Sequence, residues 1–350
     1  MPDDGPVPTE GLPVRLGLLG LGRIGEFHAQ TLADLPAVER LVVSDLVPAR
    51  AEEVAVRVGA EVADSAAAVL AAGVDGVVVA SGTASHPELL LAATRAGVPV
   101  FCEKPIAGTL EESVQVLDRV RQTGVAVQVG YQRRFDAGFV AAYRAVRSGE
   151  LGWLHTLRST TLDPSPPPRD YVATSGGLLR DCAVHDFDAV RWVSGREVVE
   201  VYATGSNRGA AFFAELGDVD TAAVVLTLDD GTLALVSNTR YNPRGYDVRL
   251  EVHGSQDSIA VGLDDRLPLR SVEPGMRFPG GTPYPVFMER FLPAYRAELQ
   301  AFTEVVAGAR PSPCTLLDAL QAERVAEAGT RSLREHRPVR LDEVPAPDAG

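Results

Sequence analysis

Cysteine is scarce in this 350-residue chain. The three that occur, Cys102, Cys182 and Cys314, are odd in number, far apart and without a C-x-x-C spacing. That argues against a disulfide framework or a thiolate zinc site and fits reduced thiols in a cytoplasmic protein. Positive charge is also short: 33 Lys and Arg stand against 47 Asp and Glu, a formal net charge of -14. Nucleic acid and anionic membranes need a basic face, so neither is an expected partner. No apolar run approaches a membrane span, and no repeat recurs at a fixed period. Residues 1–13 lack the basic start and apolar run of a signal peptide. They and residues 341–350 read as flexible tails.

What is present fits two domains, expected at 14–135 and 136–340. Val14–Leu19 reads as a short buried strand running into Gly20-Leu21-Gly22-Arg23-Ile24-Gly25, with a helical pattern after it. Strand, glycine turn and helix are the setting in which G-x-G-x-x-G binds a dinucleotide. Gly20 allows the turn, Gly22 lets a pyrophosphate approach, and Gly25 lets helix and strand pack closely. The helix N-terminus at Arg23 and Ile24 offers N–H groups to phosphate. A second strand, Leu41-Val42-Val43-Ser44, ends in Asp45, 20 residues past Gly25. An acid there hydrogen-bonds ribose hydroxyls and repels a 2′-phosphate, which favours NAD over NADP. Asp45 also suits a helix cap before Pro48, and Arg50 nearby complicates the choice.

Strands over 74–80, 98–102 and 125–129 alternate with helices over 51–58, 65–72, 88–96 and 110–122, the pattern of a doubly wound parallel sheet. Ser81 and His86 lie in the loop after one strand, and Glu103-Lys104-Pro105 ends another. Ligands of such sheets bind outside the carboxyl ends of the strands. The candidate cofactor contacts are therefore Gly20, Gly22, Arg23, Ile24, Gly25, Asp45, Ser81, His86, Glu103 and Lys104. Lys104 also reads as a solvated lysine at a strand end, and His86 as a surface turn residue. Further on, 177–188 reads as one amphipathic helix. It places Asp181, His185 and Asp188 on one face, with Leu178, Leu179, Val184 and Phe187 opposite. Alone, that stretch also reads as a core helix with a paired histidine.

Gly20-x-Gly22-x-x-Gly25, Glu103-Lys104-Pro105 and Asp181-x-x-x-His185, in this order, resemble the glucose–fructose oxidoreductase / inositol dehydrogenase (Gfo/Idh/MocA) family over nearly the whole chain. Gly130-Tyr131-Gln132-Arg133-Arg134-Phe135-Asp136 and the stretch from Gly245-Tyr246-Asp247 to Gly254-Ser255 resemble its inositol dehydrogenase branch. The resemblance implies a second, α+β domain on a large open, mostly antiparallel sheet, and a homotetramer or homodimer formed by packing those sheets. Strands expected over 153–162, 198–204, 221–228, 232–239, 246–253 and 258–261 agree.

The expected activity is NAD-dependent oxidation of a secondary hydroxyl of a cyclitol (myo- or scyllo-inositol-like) or related sugar to the ketone. A base that titrates near neutral pH points to His185. Asp181 would orient it, and Lys104 would hydrogen-bond the reacting oxygen; the resemblance implies the same roles. A polyol needs several fixed donors and acceptors, for which Arg133, Asp163, Asp188 and Tyr246 are candidates, joined by Lys104, Asp181 and His185. Asp188 also reads as an outward carboxylate and Tyr246 as a sheet aromatic. No metal is required. The alternatives are an NADP-linked sugar or keto-sugar oxidoreductase and a catalytically silent dinucleotide-binding regulator.

Overall fold

The computed structural model describes residues 13–347, which form two compact units. One comprises the chain up to Tyr131 together with Tyr295–Ala319, the other Gln132–Ala294 with the chain from Leu320 onward. The expected division at 135/136 falls slightly late, because Arg133 and Arg134 already pair with Asp186 and Asp188 of the second unit. The expected tails lie largely outside the described residues. The part of the C-terminal one that is described is ordered: Leu341–Glu343 forms a turn whose carbonyl at Leu341 accepts from Arg324.

In chain order the first unit runs β1 (Val14–Leu19), α1 (Arg23–Ala33), β2 (Val38–Ser44), α2 (Pro48–Val58), β3 (Glu61–Val62), α3 (Ala66–Ala71), β4 (Gly76–Val79), α4 (His86–Arg95), β5 (Val100–Glu103), α5 (Leu110–Arg121) and β6 (Val127–Gly130). Its six strands are all parallel, in the order β3-β2-β1-β4-β5-β6. Strands covered on both faces read as continuous apolar runs, and Leu16, Leu18, Val77, Val78 and Phe101 are fully buried. The helices start where the sequence supplies caps: Pro48 in the first turn of α2, Ser65 accepting from Ala68 N–H, and Thr109 accepting from Glu112 N–H. The two-residue β3 has too few residues for a hydrophobic period to reveal it.

The second unit contributes α6 (Ala137–Arg147), β7 (Leu154–Leu162), α7 (Arg169–Ser175), α8 (Val184–Ser194), β8 (Val198–Ser206), α9 (Phe212–Glu215), β9 (Thr221–Leu228), β10 (Leu233–Thr239), β11 (Asp247–Gly254), β12 (Ser258–Val261) and α10 (Phe287–Arg290). The chain ends with α11 (Leu292–Val306), α12 (Leu316–Glu335) and β13 (Val339–Arg340). The seven strands lie in the order β12-β11-β7-β10-β9-β8-β13. All neighbours are antiparallel except β7 and β10, which run parallel with Leu162 beside Thr239. A tight turn at Gly231, where φ is +86°, joins β9 to β10. α11 was expected to close the second domain. Instead Leu299, Phe302 and Val305 join Leu18, Val43 and Phe101 in the first unit's core.

Gly25 shows how tightly the first sheet and α1 are joined. A Cβ there would lie 2.0 Å from the Gly20 carbonyl oxygen, a backbone atom that cannot swing aside. Overpacking of this kind typically costs about 1–3 kcal/mol. Gly25→Ala is therefore expected to lower the melting temperature by roughly 3 °C or more and to weaken binding of a dinucleotide. An unchanged melting curve would contradict the close approach.

Candidate active site

The first unit carries the glycine turn. At the end of β1 the chain turns at Gly20, with φ +92°, and a Cβ there would strike Ser81 Cα at 2.4 Å, so only glycine fits beneath the β4 loop. Gly22 precedes the first turn of α1 and has no side chain to cap it, and a Cβ at Gly22 or at Gly82 would meet nothing within 4 Å. An open, uncapped helix N-terminus is what a pyrophosphate requires, so these residues fit a dinucleotide. Asp45 follows β2 with its side chain 7% exposed. Its Oδ2 accepts from Leu21 N–H at 2.7 Å and its Oδ1 from Val47 N–H at 2.8 Å, with Arg50 at 3.2 Å. Asp45 thus also fastens the glycine turn to the second strand.

Two expected cofactor contacts have other work. His86 is 1% exposed, with Nδ1 2.8 Å from the Pro105 carbonyl and Nε2 3.1 Å from the Ser81 carbonyl. It is neither a surface turn residue nor an open ligand; it ties the loops after β4 and β5 together. Glu103 turns to the buried His28 of α1, Oε1 to Nε2 at 2.6 Å. Ser81 hydrogen-bonds Ser85 through their hydroxyls. Lys104 follows Glu103 at the end of β5, half-buried, and the Lys104–Pro105 peptide is cis.

The topology of the second unit explains which of its residues meet. Because β7 and β10 are parallel, the residues just past their ends, Asp163 and Arg240, are neighbours. β11 runs antiparallel to β7 with Asp247 beside Leu162, which brings Tyr246 to the same edge. Arg240, 4% exposed, donates Nη1 to Asp163 Oδ2 and Nη2 to Asp181 Oδ2, both at 2.7 Å. The Tyr171 hydroxyl of α7 donates to Asp181 Oδ1 at 2.7 Å. Burial opposes the charge on Arg240, but Cys182, Asp181 and Asp163 outweigh it and its pKa is raised. Burial likewise pushes the Tyr246 hydroxyl up, beyond what Arg133 restores, so it remains a protonated donor. Burial pushes the Cys182 thiol well up, helped by Asp163.

The stretch expected as one helix has two parts. Leu179–Ala183 is a π-helical turn, and α8 follows from Val184. Asp181 lies in the wide turn and His185 in the first turn of the α-helix, both half-buried. π-Bulges of this kind occur mostly at functional positions. Asp188 is not an open ligand. It is fully buried, and its two oxygens accept from Arg134 Nε and Nη2 at 2.9 and 2.6 Å. Arg133 is corrected in the same way. It is 1% exposed and donates to Asp186 Oδ1 and Thr161 Oγ1, both at 2.7 Å.

Asp186 escaped the sequence reading. It is fully buried on α8 and accepts from Arg133, Ser159, Thr161 and Asn238. Arg240 and Tyr171 escaped too. The signal for Arg240 was a charge directly after an alternating strand; nothing local marked Tyr171. Among the described residues no group of three or more His, Cys, Asp or Glu could hold a metal. Removing one partner of a buried ion pair strands the other charge, at about 3–5 kcal/mol. Asp186→Ala should therefore lower the unfolding free energy obtained from a urea titration by that order. A free energy within ~0.5 kcal/mol of the wild type would show that Arg133 finds another partner.

Comparison with known proteins accords with this arrangement. Residues 14–131 match the model of an oxidoreductase family with an NAD-binding Rossmann fold, and 139–260 match the GFO/IDH/MocA C-terminal domain. The chain is 37% identical to myo-inositol 2-dehydrogenase from Thermotoga maritima over 334 residues, 95% of this chain and 99% of that protein. It is 35% identical to the NAD(+) scyllo-inositol 2-dehydrogenase of Bacillus subtilis over 94% of this chain and 96% of that protein. The solved scyllo-inositol dehydrogenase of Lactobacillus casei, with NAD(H) and scyllo-inositol bound, superposes with a TM-score of 0.84 at 28% identity, covering 94% of this chain and 99% of that one. With its glycine turn, its Glu103-Lys104-Pro105 and both domain models matched along its length, this chain belongs to the GFO/IDH/MocA family of NAD-binding oxidoreductases.

Proposed function

We propose that the protein oxidises a secondary hydroxyl of a cyclitol, of the myo- or scyllo-inositol kind, or of a related sugar, to the ketone. Bound NAD supplies the hydride acceptor. The observation that carries the reading is the carboxylate of Asp181, gripped by Arg240 and Tyr171, with His185 four residues further on in the first turn of α8, in the same unit as the protonated Tyr246 hydroxyl. Neutral donors and gripped carboxylates suit a substrate bristling with hydroxyls. In this reading His185 takes the hydroxyl proton as the hydride departs, because imidazole is the side chain that titrates near neutral pH. Asp181 stabilises the resulting imidazolium. Lys104 hydrogen-bonds the reacting oxygen. Asp163 and Tyr246 hold the other hydroxyls, a role that their buried ion pairs deny to Asp188 and Arg133. Asp45 favours NAD over NADP by its charge beside the glycine turn.

Cytoplasmic residence and assembly as a homotetramer or homodimer belong to the same proposal. All three cysteines are buried thiols outside any disulfide, as befits a reducing compartment. The outward face of the second sheet leaves Tyr202, Val225, Leu233 and Leu235 exposed by 37–45%, an apolar surface that a second copy would cover. Light scattering is expected to give a mass that is a multiple of 37.1 kDa. A monomer at micromolar concentration would contradict the assembly.

The test of the reaction is the absorbance of reduced cofactor with NAD or NADP and a panel of cyclitols and pyranoses. Turnover with NAD and myo- or scyllo-inositol is expected. Turnover with NADP alone would sink the Asp45 argument, and cofactor binding without oxidation of any polyol would favour a silent regulator. His185→Ala should lower kcat by at least ~100-fold with cofactor affinity nearly intact; wild-type rates would refute its role.

A further inference from the structure

Arg240 was not among the residues expected to serve chemistry, yet it reaches two carboxylates at once. One guanidinium spans Asp163 Oδ2 and Asp181 Oδ2 at 2.7 Å each, from a side chain 5% exposed. The bridge is built by a parallel strand pair of the second sheet, β7 with β10, which sets Asp163 and Arg240 side by side past the strand ends. Asp163 is tied further: its N–H donates to the Thr239 carbonyl and its own carbonyl accepts from Asn242 N–H. The guanidinium therefore grips Asp181 from an anchored base.

The geometry points to Arg240 as a positioning residue of the oxidation: it clamps Asp181 as a paired anion, which orients and stabilises His185 as that residue accepts the substrate proton but does not accept the proton itself. This rests on the dehydrogenase reading above. The physical ground is the chemistry of the pair. Arg stays charged at any physiological pH and offers a fork of fixed donors. A carboxylate beside it is held ionised, with its pKa typically lowered by about 1–3 units. Without the guanidinium, Asp163 and Asp181 would be two carboxylates converging on one buried place. Like charges so placed raise the pKa of one of them. The other charged or titratable groups of this neighbourhood are Tyr171 on α7, Cys182 in the π-turn, His185 and Asp186 on α8, Arg133 before α6 and Tyr246 before β11. Arg240 hydrogen-bonds both carboxylates through its two Nη atoms.

The test compares the full-length wild type with Arg240→Gln and Arg240→Lys, with NAD and whichever cyclitol is oxidised, across pH 5–10. Arg240→Gln should lower kcat roughly 100-fold at pH 7 while KM for NAD stays within a few-fold. The acid limb of its kcat profile should move up by at least ~1 pH unit as Asp181 becomes easier to protonate. Arg240→Lys, which keeps the charge but cannot bridge two carboxylates, should fall between. A second readout needs no turnover. In protein labelled with 13C at the aspartate carboxyls, with Asp181→Asn identifying the resonance, the Asp181 titration midpoint should rise by at least ~1 pH unit in Arg240→Gln. An unmoved midpoint, or a pH profile that is only scaled down, overturns the clamp. If the wild type oxidises no polyol, the dehydrogenase reading falls and the titration alone decides the clamp. If Arg240→Gln does not fold, Arg240→Lys carries both readouts, and a profile and midpoint identical to wild type overturn the proposal.

Discussion

The arrangement of the second unit depends on the Asp186 carboxylate. It sits on α8 with no solvent and receives four donors, from Arg133 before α6, Ser159 and Thr161 on β7, and Asn238 on β10. A buried ion pair contributes little net stability compared with apolar side chains of the same volume, because both charges must leave water. What Asp186 supplies is direction. Four donors from three elements allow one seating of α8 against the sheet, and His185 is its chain neighbour. Arg134 repeats the device two residues further along α8, gripping Asp188 with two nitrogens. The two arginines of the Gln132-Arg133-Arg134-Phe135 turn thus serve as bolts for the helix, not as hands for a ligand.

The same economy of charge runs through both units. In the first, Asp45 reaches back to Leu21 N–H and Glu103 to His28, so each acid near the strand ends also fixes a neighbouring segment. In the second, Arg240 joins Asp163 to Asp181. Loops at strand ends have few backbone partners of their own, and a charged side chain that bridges two of them replaces the missing ladder. Lys104, Asp181 and His185, the groups proposed for chemistry, are left half-buried.

The first unit was legible in the sequence because its signals are local. Five of its six short parallel strands, glycine at the turn and caps at the helix starts are each written within a few residues. The second unit's strands were also readable from alternation, and the hairpin at Gly231 from its Asp-Asp-Gly. Its one parallel pairing was not: β7 and β10 lie far apart along the chain, and no local pattern says that Asp163 will stand beside Arg240. The π-turn was hidden because Leu178, Leu179, Val184 and Phe187 satisfy an ordinary helical period through it. Arg133, Asp188 and His86 were read as open contacts because charged and polar residues are usually exposed. Here each is buried with its own partner, which only the tertiary structure supplies.

The proposed hydride transfer from a polyol carbon rests on family membership, a dinucleotide turn of the right shape, and Asp181 and His185 in and just after the π-turn. The measurement that tests this most directly uses myo-inositol deuterated at every carbon, with NAD, followed by mass spectrometry of the reduced cofactor. The account predicts reduced cofactor carrying a single deuterium, drawn from the oxidised carbon. Reduced cofactor without the label, or no reduction with any cyclitol, would contradict it.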